Sequence, residues 1–412
     1  MSVLSFRALR HCALCGSALA AVLGFAAGAA AQNQLPEVLV KPPKEEPKPK
    51  PKPKPEQARA APRPAPTPVR AAAPAPAPTT PVQAAPPVNP VTATANTLNQ
   101  GLNTIYAPIG TITTTLSHNT IQALPGGDNQ TVEKILLQTP GVTQDSAASG
   151  SLHVRNEHTN LQVRINGIML PDGVTGFGTF LDTALIGNMT LITGALPAQF
   201  GLRTAGVLDI QTRNAFDGGT AGVYGGSRQT FTPSFEYGGQ VGQTQYFLTG
   251  RFFESNIGLE NTTPSWNAIH DHTTQERGFG YVSTLLDPYT RFTVLGGASY
   301  ARFQIPNTPG LTPNFTAFGV SSFNSALLNE NQLEQNYYGV AALQRSINGA
   351  DVQLSYFTRY SSVHFVPDTI GDLVFNGVAS NVFRSDFANG VSADAAYRLN
   401  ERCWPSALTF TT

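Results

Sequence analysis

The 412-residue chain contains little cysteine, little charge and no long apolar segment beyond its N-terminus. Two of its three cysteines, Cys12 and Cys15, lie in an N-terminal apolar stretch, so only Cys403 remains if that stretch is removed, and no disulfide can then form within the chain. Charged residues make up 13% of the sequence and 26 basic residues balance 26 acidic ones, so nothing favours nucleic acid as a partner. No apolar run after residue 31 reaches the ~20 residues that a membrane-spanning helix needs.

The motifs that carry common enzyme chemistry are also missing. The sequence has no phosphate-binding glycine loop, no nucleophile elbow and no zinc-protease helix, so we predict neither an enzyme nor a cofactor. His270, Asp271 and His272 are adjacent donor residues that could suggest a metal site. In an extended segment, however, Asp271 points away from both histidines, and no cysteine or further ligand is nearby. We therefore predict a solvated loop here and no metal site.

The first 31 residues have the three parts of a secretory signal. Arg7 and Arg10 give it a positive start, residues 12–28 form a short apolar region of small side chains, and residues 29–31 (Ala-Ala-Ala) supply a cleavage site. The alternative, a membrane anchor that is never cut, would need a longer apolar segment. The sequence therefore predicts an exported protein with a cleaved signal peptide over 1–31.

A proline-rich segment follows. Residues 47–55 alternate proline with lysine, and residues 62–90 continue with proline and alanine. Each proline fixes φ and removes a hydrogen-bond donor, so this composition cannot build a packed domain. We predict a disordered linker over 41–104. Just ahead of it, residues 35–40 form the one β-prone hexamer between the cleavage site and residue 90.

Residues 105–213 have the pattern of a small α+β unit. One helix with a single apolar face is predicted over Asn129–Leu137. Alternating apolar residues predict strands at 111–116, 152–155, 161–165, 189–193 and 207–212. A polar turn at 156–160 separates the second of these strands from the third.

From residue 214 onward the chain has the alternation of membrane β-strands. Candidates of about ten residues, the length of a tilted membrane strand, occur at 220–228, 234–242, 245–254, 275–286, 290–302, 335–346, 350–361 and 388–399. Within 350–361, Val352 and Leu354 share one face, while Asp351 and Gln353 share the other.

The connections between these strands alternate in length. Very short ones are predicted at 242–244, 287–288 and 347–349, and long ones at 255–274, 303–334 and 362–387. A short first connection near Phe231 is the exception. Bacterial membrane barrels have this rhythm because turns lie on one side of the membrane and long loops on the other.

Three blocks of the sequence resemble a known family. They are Leu137–Val142, Val163–Gly167 and Phe200–Ile210, and in this order they resemble the plug domain of TonB-dependent outer-membrane receptors. The resemblance covers roughly 105–213. It implies an α+β plug domain followed, over 214–412, by transmembrane antiparallel β-barrel strands that form an incomplete barrel of about 22 strands.

The resemblance also assigns roles to individual residues. The TonB-box region would be 32–40, and it would bind TonB by strand addition through Leu35, Pro36, Glu37, Val38, Leu39 and Val40. Arg155 matches an arginine that contacts barrel glutamates in the family, although Asn156 replaces the glycine that usually follows it. Thr193 stands where a second such arginine is usual.

Three plug loops would face the exterior and contact the ligand. They are 144–151, 156–160 and 172–180, and the implied contact residues are Asn156, Glu157, His158, Thr159, Asp172, Phe177 and Phe180. Structural alternatives exist at each loop. Asp172-Gly173 is a turn signal in its own right, and Phe177 or Phe180 could instead pack against the barrel wall.

The implied function is uptake of a scarce extracellular ligand, with a ferric siderophore as the expected one, across the outer membrane and with TonB as the energy-coupling partner. One alternative is a plug-and-linker protein that only binds or competes for TonB, and another is an adhesive outer-membrane protein, which the plug blocks disfavour. About eight strands cannot close around a plug, and Cys403–Ala407 interrupts the strand pattern. We therefore expect a truncated or frameshifted product whose complete relative is the functional receptor.

Overall fold

The computed structural model describes residues 89–106, 110–146, 151–158, 161–174, 176–197, 200, 203–213, 217–399 and 402–411, with residues from 398 onward described by their backbone alone. The predicted signal peptide (1–31), the TonB-box region (32–40), the linker up to residue 88 and Thr159 lie outside the described residues. None of the described helices is long and apolar enough to cross a membrane.

The first element is a helix, α1 (Pro90–Ile105), in a place where the sequence predicts the end of the linker. Asn89 caps it by accepting a hydrogen bond from the Val91 N–H, and Pro90 occupies its first turn, where a missing N–H has no cost. Its buried residues recur at the spacing of one helical face: Val91, Ala95, Leu98, Leu102 and Ile105. The structure thus corrects the predicted linker boundary at 104, because residues 90–104 belong to a helix with one apolar face.

The rest of the small unit, up to residue 213, has two sheets and two short helices. The helices are α2 (His118–Ala123) and α3 (Val132–Leu136). The strands of the larger sheet are β1 (Thr111–Ser117), β5 (Leu161–Ile165), β6 (Ile168–Met169), β7 (Ile186–Gly194) and β8 (Gly206–Thr212), in the order β1-β7-β8-β5-β6, with β5 and β8 parallel. The other sheet joins β2 (Val142–Gln144), β3 (Leu152–Val154) and β4 (Glu157–His158).

This arrangement confirms the predicted α+β pattern and its five predicted strands, which are β1, β3, β5, β7 and β8, whereas α2, β2, β4 and β6 were not predicted. Helix α3 lies inside the predicted helix 129–137, and Thr131 caps it by accepting from the Lys134 N–H. The predicted polar turn at 156–160, however, contains strand β4. Arg155 and Asn156 both have positive φ, which makes them a two-residue hairpin turn between β3 and β4. The unit has an apolar core, in which Ile121, Ile135, Ile165, Leu185 and Ile186 are fully buried.

The second part of the chain is one large antiparallel sheet of nine described strands, arranged in chain order. They are β9 (Gly218–Gly226), β10 (Thr230–Val241), β11 (Thr244–Ser255), β12 (Thr273–Asp287), β13 (Thr290–Gln304), β14 (Asn331–Ile347), β15 (Ala350–Val366), β16 (Val382–Leu399) and β17 (Arg402–Thr411). A short helix, α4 (Thr369–Asn376), lies in the connection between β15 and β16.

Eight of these strands match the predicted candidates, and the alternation of short and long connections is confirmed. Two residues connect β10 to β11, β12 to β13 and β14 to β15, whereas the connections 256–272, 305–330 and 367–381 are long. We call the two ends of the sheet the short-turn end and the long-loop end.

The ninth strand corrects the prediction that Cys403–Ala407 ends the strand pattern. Residues 402–411 pair with β16 across the whole segment, with Pro405 opposite Ala396. Proline cannot donate to a ladder, but β17 is an edge strand of the described sheet, where a missing donor is tolerated. The described strands form an open sheet with β9 and β17 as its edges.

Candidate functional site between the small unit and the large sheet

The inner face of the large sheet, which contacts the small unit, is mostly polar. Strand β15 illustrates the pattern, because Asp351, Gln353 and Ser355 are buried while Val352 and Leu354 on the outer face are exposed. The buried polar residues of the inner face include four arginines and several carboxylates and amides: Arg251, Arg277, Arg291, Arg359, Glu334, Asp351, Asp394, Gln245, Gln344 and Gln353. A smaller apolar patch, Phe247, Phe279 and Phe357, joins the core of the small unit. The predicted alternation is confirmed, with the polar face inward.

The most buried charged contact across this face is the pair Asp182–Arg251. Arg251 Nε donates to Asp182 Oδ1 at 3.2 Å, and Thr249 Oγ1 donates to Asp182 Oδ2 at 3.0 Å. The side chains of Asp182 and Arg251 are only 1% and 3% exposed. Asn129 accepts a further hydrogen bond from Arg251. Two strand residues and two residues of the small unit therefore form one buried network.

A second contact lies toward the long-loop end, where Glu334 receives a loop of the small unit. Glu334 Oε1 accepts from the Phe177 N–H at 2.7 Å, and Oε2 accepts from the Gly178 N–H at 2.8 Å. A Cβ at Gly176 would lie 2.4 Å from the Glu334 carboxylate, so a larger residue at this position would displace that side chain. One carboxylate thus satisfies two backbone donors of a loop that has little secondary structure of its own.

Phe177 and Phe180, two of the predicted ligand-contact residues, pack against the sheet. The Phe177 ring meets Phe303 edge-on at 5.6 Å between centroids, and the Phe180 ring meets Tyr338 at 5.9 Å. The Arg359 guanidinium lies 4.1 Å from the centre of the Phe180 ring. The packing alternative for these two rings is therefore what the structure shows, and their contact with a ligand stays a prediction.

At the short-turn end of the sheet, helix α1 contacts the inner face. The hydroxyl of Tyr106, the residue that follows the helix, donates to Asp394 Oδ2 at 2.8 Å and accepts from Gln353 Nε2 at 3.1 Å. Gly101 lies so close to β15 that a Cβ would come within 2.6 Å of Asp351 Oδ1. None of these contacts was predicted from the sequence, because the helix itself was not predicted.

Arg164 and Asp209 are opposite one another on the neighbouring strands β5 and β8 of the small unit, near this helix. Arg164 stacks against the rings of Tyr106 and Phe200, at 5.4 and 4.9 Å, and donates to the Gly167 carbonyl. Burial raises the pKa of Asp209 to about 6, and the Arg164 charge and the Gly167 N–H offset only part of that effect. Asp209 also borders a cavity of about 860 Å³ lined largely by amide side chains of α1 and the small sheet. The small unit therefore does not fill the inner face, and the cavity has room for a cluster of waters.

The other predicted site residues lie on the surface of the small unit. Arg155 is exposed, and its backbone N–H donates to the Gly141 carbonyl. Its predicted contact with barrel glutamates stays a prediction. Asn156, Glu157 and His158 are exposed on the β3–β4 hairpin, and Asp172 is 67% exposed and pairs with Arg203.

Residues 270–272, which lie in the connection 256–272, each have a different partner. His270 Nδ1 contacts the Ile305 carbonyl at 2.9 Å, Asp271 Oδ1 accepts from the Leu259 N–H at 2.8 Å, and His272 Nδ1 contacts Asn256 at 3.2 Å. These contacts tie the segment to neighbouring loops.

The sequence matches no protein-family model and no curated protein. Solved structures do resemble the fold. The ferripyoverdine receptor of the outer membrane of Pseudomonas aeruginosa, bound to ferripyoverdine, superposes with a TM-score of 0.56 at 14% identity, over 73% of this chain and 42% of that one. The chain has the fold of the TonB-dependent outer-membrane receptors.

Two further structures with this receptor fold extend the comparison. The copper transporter OprC superposes with a TM-score of 0.56 at 12% identity, over 74% of this chain and 46% of that one. The siderophore receptor PirA from Acinetobacter baumannii superposes with a TM-score of 0.51 at 12% identity, over 73% of this chain and 47% of that one. The chain thus spans less than half the length of these three receptors.

Proposed function

We propose that this chain is the plug-bearing part of a TonB-dependent receptor that takes up a scarce extracellular ligand, a ferric siderophore, across the outer membrane. The observation that carries the proposal is the two-faced sheet: its outer face is apolar and exposed, while its inner face is mostly polar and covered by the small α+β unit. A soluble sheet buries its apolar face, whereas a membrane barrel exposes it to lipid.

The ligand class is inferred from the proteins that share the fold. Structures of this fold include receptors bound to ferripyoverdine or active on siderophores, and one copper transporter. All of these substrates are metal ions or metal complexes. A ferric siderophore is therefore the ligand we propose, with the exposed side chains Asn156, Glu157, His158 and Asp172 among its contacts.

The gating step is proposed to begin at Leu35–Val40. An extended peptide can add to a sheet edge of TonB through its backbone groups, with alternate side chains for specificity. At about 3.1 Å per residue, a polyproline-like linker over residues 41–88 would extend on the order of 150 Å, enough for a periplasmic partner. Pulling on α1 would then strain the polar contacts of the inner face, which water can replace as they break.

The nine described strands are proposed to be part of a barrel of about 22 strands in outer-membrane lipid. Exposed aromatic side chains lie near both ends of the strands, as in the aromatic girdles of membrane barrels. Tyr289 and Tyr397 lie at the short-turn end, and Phe383 and Phe387 lie toward the long-loop end.

Uptake measurements on whole cells test the proposal. Cells that produce the whole receptor of which this chain is proposed to be a part would be compared with cells that produce the same receptor without residues 35–40, and with a matched variant lacking six linker residues, 62–67. We expect uptake of radiolabelled ferric siderophore from the unaltered receptor and the linker variant, and none from the hexamer variant, although all three bind the ligand at the cell surface.

Two other outcomes are informative. Uptake no higher than in cells without the receptor would contradict the proposed transport. If, in addition, the chain slows uptake through a different receptor and deletion of residues 35–40 abolishes that effect, competition for TonB is the better explanation.

A further inference from the structure

Three potential metal ligands converge on the surface of the small unit. Asp145 follows strand β2, His153 lies in β3 and His158 ends β4, and one ligand atom from each lies within 4.8 Å of the other two. His158 Nδ1 is 3.2 Å from Asp145 Oδ2 and 3.2 Å from His153 Nε2, and Asp145 Oδ1 also contacts His153 Nε2.

The local fold explains why these side chains meet. The two-residue turn at Arg155-Asn156 sets the register in which His153 and His158 are direct cross-strand partners, so their side chains lie on the same face. Thr143 is the partner of His153 on the other side, and Asp145 lies two residues beyond Thr143. The Asp145 N–H donates to the Ser151 carbonyl, which continues the ladder and places Asp145 diagonally next to His153.

Hydrogen bonding alone does not satisfy this cluster. If both imidazole nitrogens donate to the carboxylate, the two N–H groups face each other at the 3.2 Å contact between His153 and His158. If either nitrogen is unprotonated, its lone pair faces the carboxylate instead. A cation placed among the Asp145 carboxylate, His153 Nε2 and His158 Nδ1 would accept a lone pair from each of the three groups.

The spacing and chemistry of the ligands identify the kind of cation. Ligand atoms ~2.0–2.1 Å from a tetrahedral zinc ion are about 3.3 Å from one another, close to the two 3.2 Å separations found here. Two imidazoles and one carboxylate, without sulfur, suit Zn²⁺, Ni²⁺ and Cu²⁺ rather than Cu⁺ or Ca²⁺.

We propose that Asp145, His153 and His158 form a binding site for one late first-row divalent metal ion. The side chains are 40%, 27% and 51% exposed, so an ion can enter from solvent and keep coordination positions open for water or for donor atoms of a ligand. Metal binding at this site does not depend on transport or on TonB.

Copper titration of the full, untagged chain in detergent tests the proposal. We expect one tightly bound Cu²⁺ per chain, with a paramagnetic resonance spectrum that shows coupling to two imidazole nitrogens. His153→Ala and His158→Ala should each weaken binding at least tenfold and remove one nitrogen from the spectrum. Asp145→Asn should weaken binding while both nitrogens remain. The matched control is His364→Ala, because His364 contacts Asn381 on the large sheet and should leave stoichiometry and spectrum unchanged.

A second measurement needs no variant. Zn²⁺ should protect His153 and His158 from acylation by diethyl pyrocarbonate in the unaltered chain, while His364 is modified at the same rate with and without the ion. Equal modification of all three histidines in the presence of Zn²⁺ would overturn the proposal, and so would a His153→Ala/His158→Ala variant that binds Cu²⁺ as the original chain does.

Discussion

The two faces of the large sheet have opposite polarity and opposite exposure. In strand β15, Val352 and Leu354 are 43% and 53% exposed, whereas Asp351 and Gln353 between and beside them are 3% and 2% exposed. A sheet of a soluble protein has the opposite arrangement, because burial of apolar surface is its main source of stability. The difference is the one expected if, as proposed, the outer face contacts lipid.

The inner face is informative in another way. Its contacts with the small unit combine one apolar patch with a buried ion pair and with single hydrogen bonds from side chains to loop backbone. The core of the small unit is continuous with that apolar patch, because Phe247, Phe279 and Phe357 of the sheet belong to the same buried cluster as Ile165 and Leu185. Movement of the unit away from the sheet would therefore expose apolar surface, whereas water can replace the directional contacts between the two parts.

The largest effect on the inner face is expected from Asp182→Ala. Loss of this carboxylate leaves the Arg251 charge buried without its ion-pair partner, which typically costs about 3–5 kcal/mol. We expect that loss in the free energy of unfolding, measured by urea titration of the chain in detergent micelles.

The control is a second pair of the same chemistry. Asp172 pairs with Arg203 at the surface of the small unit and is 67% exposed, so Asp172→Ala should cost less than about 1 kcal/mol. Adding Arg251→Met to Asp182→Ala should restore most of the lost stability. Equal losses from the two aspartate variants would mean that burial does not distinguish the two pairs.

On the outer face, Leu354→Arg tests whether the exposed apolar surface contacts lipid. An arginine near the middle of a bilayer costs about 2–4 kcal/mol, and the cost falls to about 0–1 kcal/mol near the interface. Val352 lies on the same face of the same strand but two residues nearer the short-turn end, so Val352→Arg should cost less. The comparison is made by unfolding the chain from lipid vesicles, and no cost for either variant would show that this face is in water.

The sequence was a good guide to the large sheet and a poorer one to the small unit. Eight of the nine described strands of the large sheet were predicted, from segments of about ten residues with alternation in places and from the rhythm of short and long connections between them. Helix α1 was missed because its apolar stripe follows a proline-rich tract, and strand β4 was missed because two residues cannot show a period. At α1 the proline-rich composition favoured a linker, and at β4 the polar composition favoured a turn, so neither element was predicted.

The contacts between the two parts were not predictable in the same way. Asp182 and Glu334 are unremarkable in the sequence, and each acquires its role from a partner 69 or about 157 residues away. Asp145, His153 and His158 have no standard metal-ligand spacing, because a hairpin register rather than a helix turn brings them together. Such sites follow from pairing between strands, which single-strand patterns do not encode.

A smaller effect on the inner face is expected from Glu334→Gln. The amide places an N–H donor against one of the two backbone N–H groups of Phe177 and Gly178, so one hydrogen bond is lost, at a cost of about 1–3 kcal/mol. Hydrogen exchange at these two amides should become faster, and the control Glu276→Gln, an exposed glutamate on β12, should change neither rate. Unchanged exchange in Glu334→Gln would show that the loop is fixed by the Phe177 ring rather than by the carboxylate.

The smallest effect concerns Asp209, inside the small unit. Because burial raises its pKa to about 6, the folded chain retains a proton between about pH 4 and pH 6 that the unfolded chain has released. The folded state then binds more protons than the unfolded state, so the stability that Asp209 contributes falls as pH rises through this range, by about 1–3 kcal/mol in total, and changes no further above it. Asp209→Asn should remove that contribution to the slope, whereas Asp217→Asn, at an exposed aspartate, should leave it in place. Parallel urea titrations at several pH values measure both slopes. Burial also raises the pKa of Glu330, in the connection before β14, to about 8, so a slope that is unchanged in Asp209→Asn would place the pH-sensitive group at Glu330 and not in the small unit.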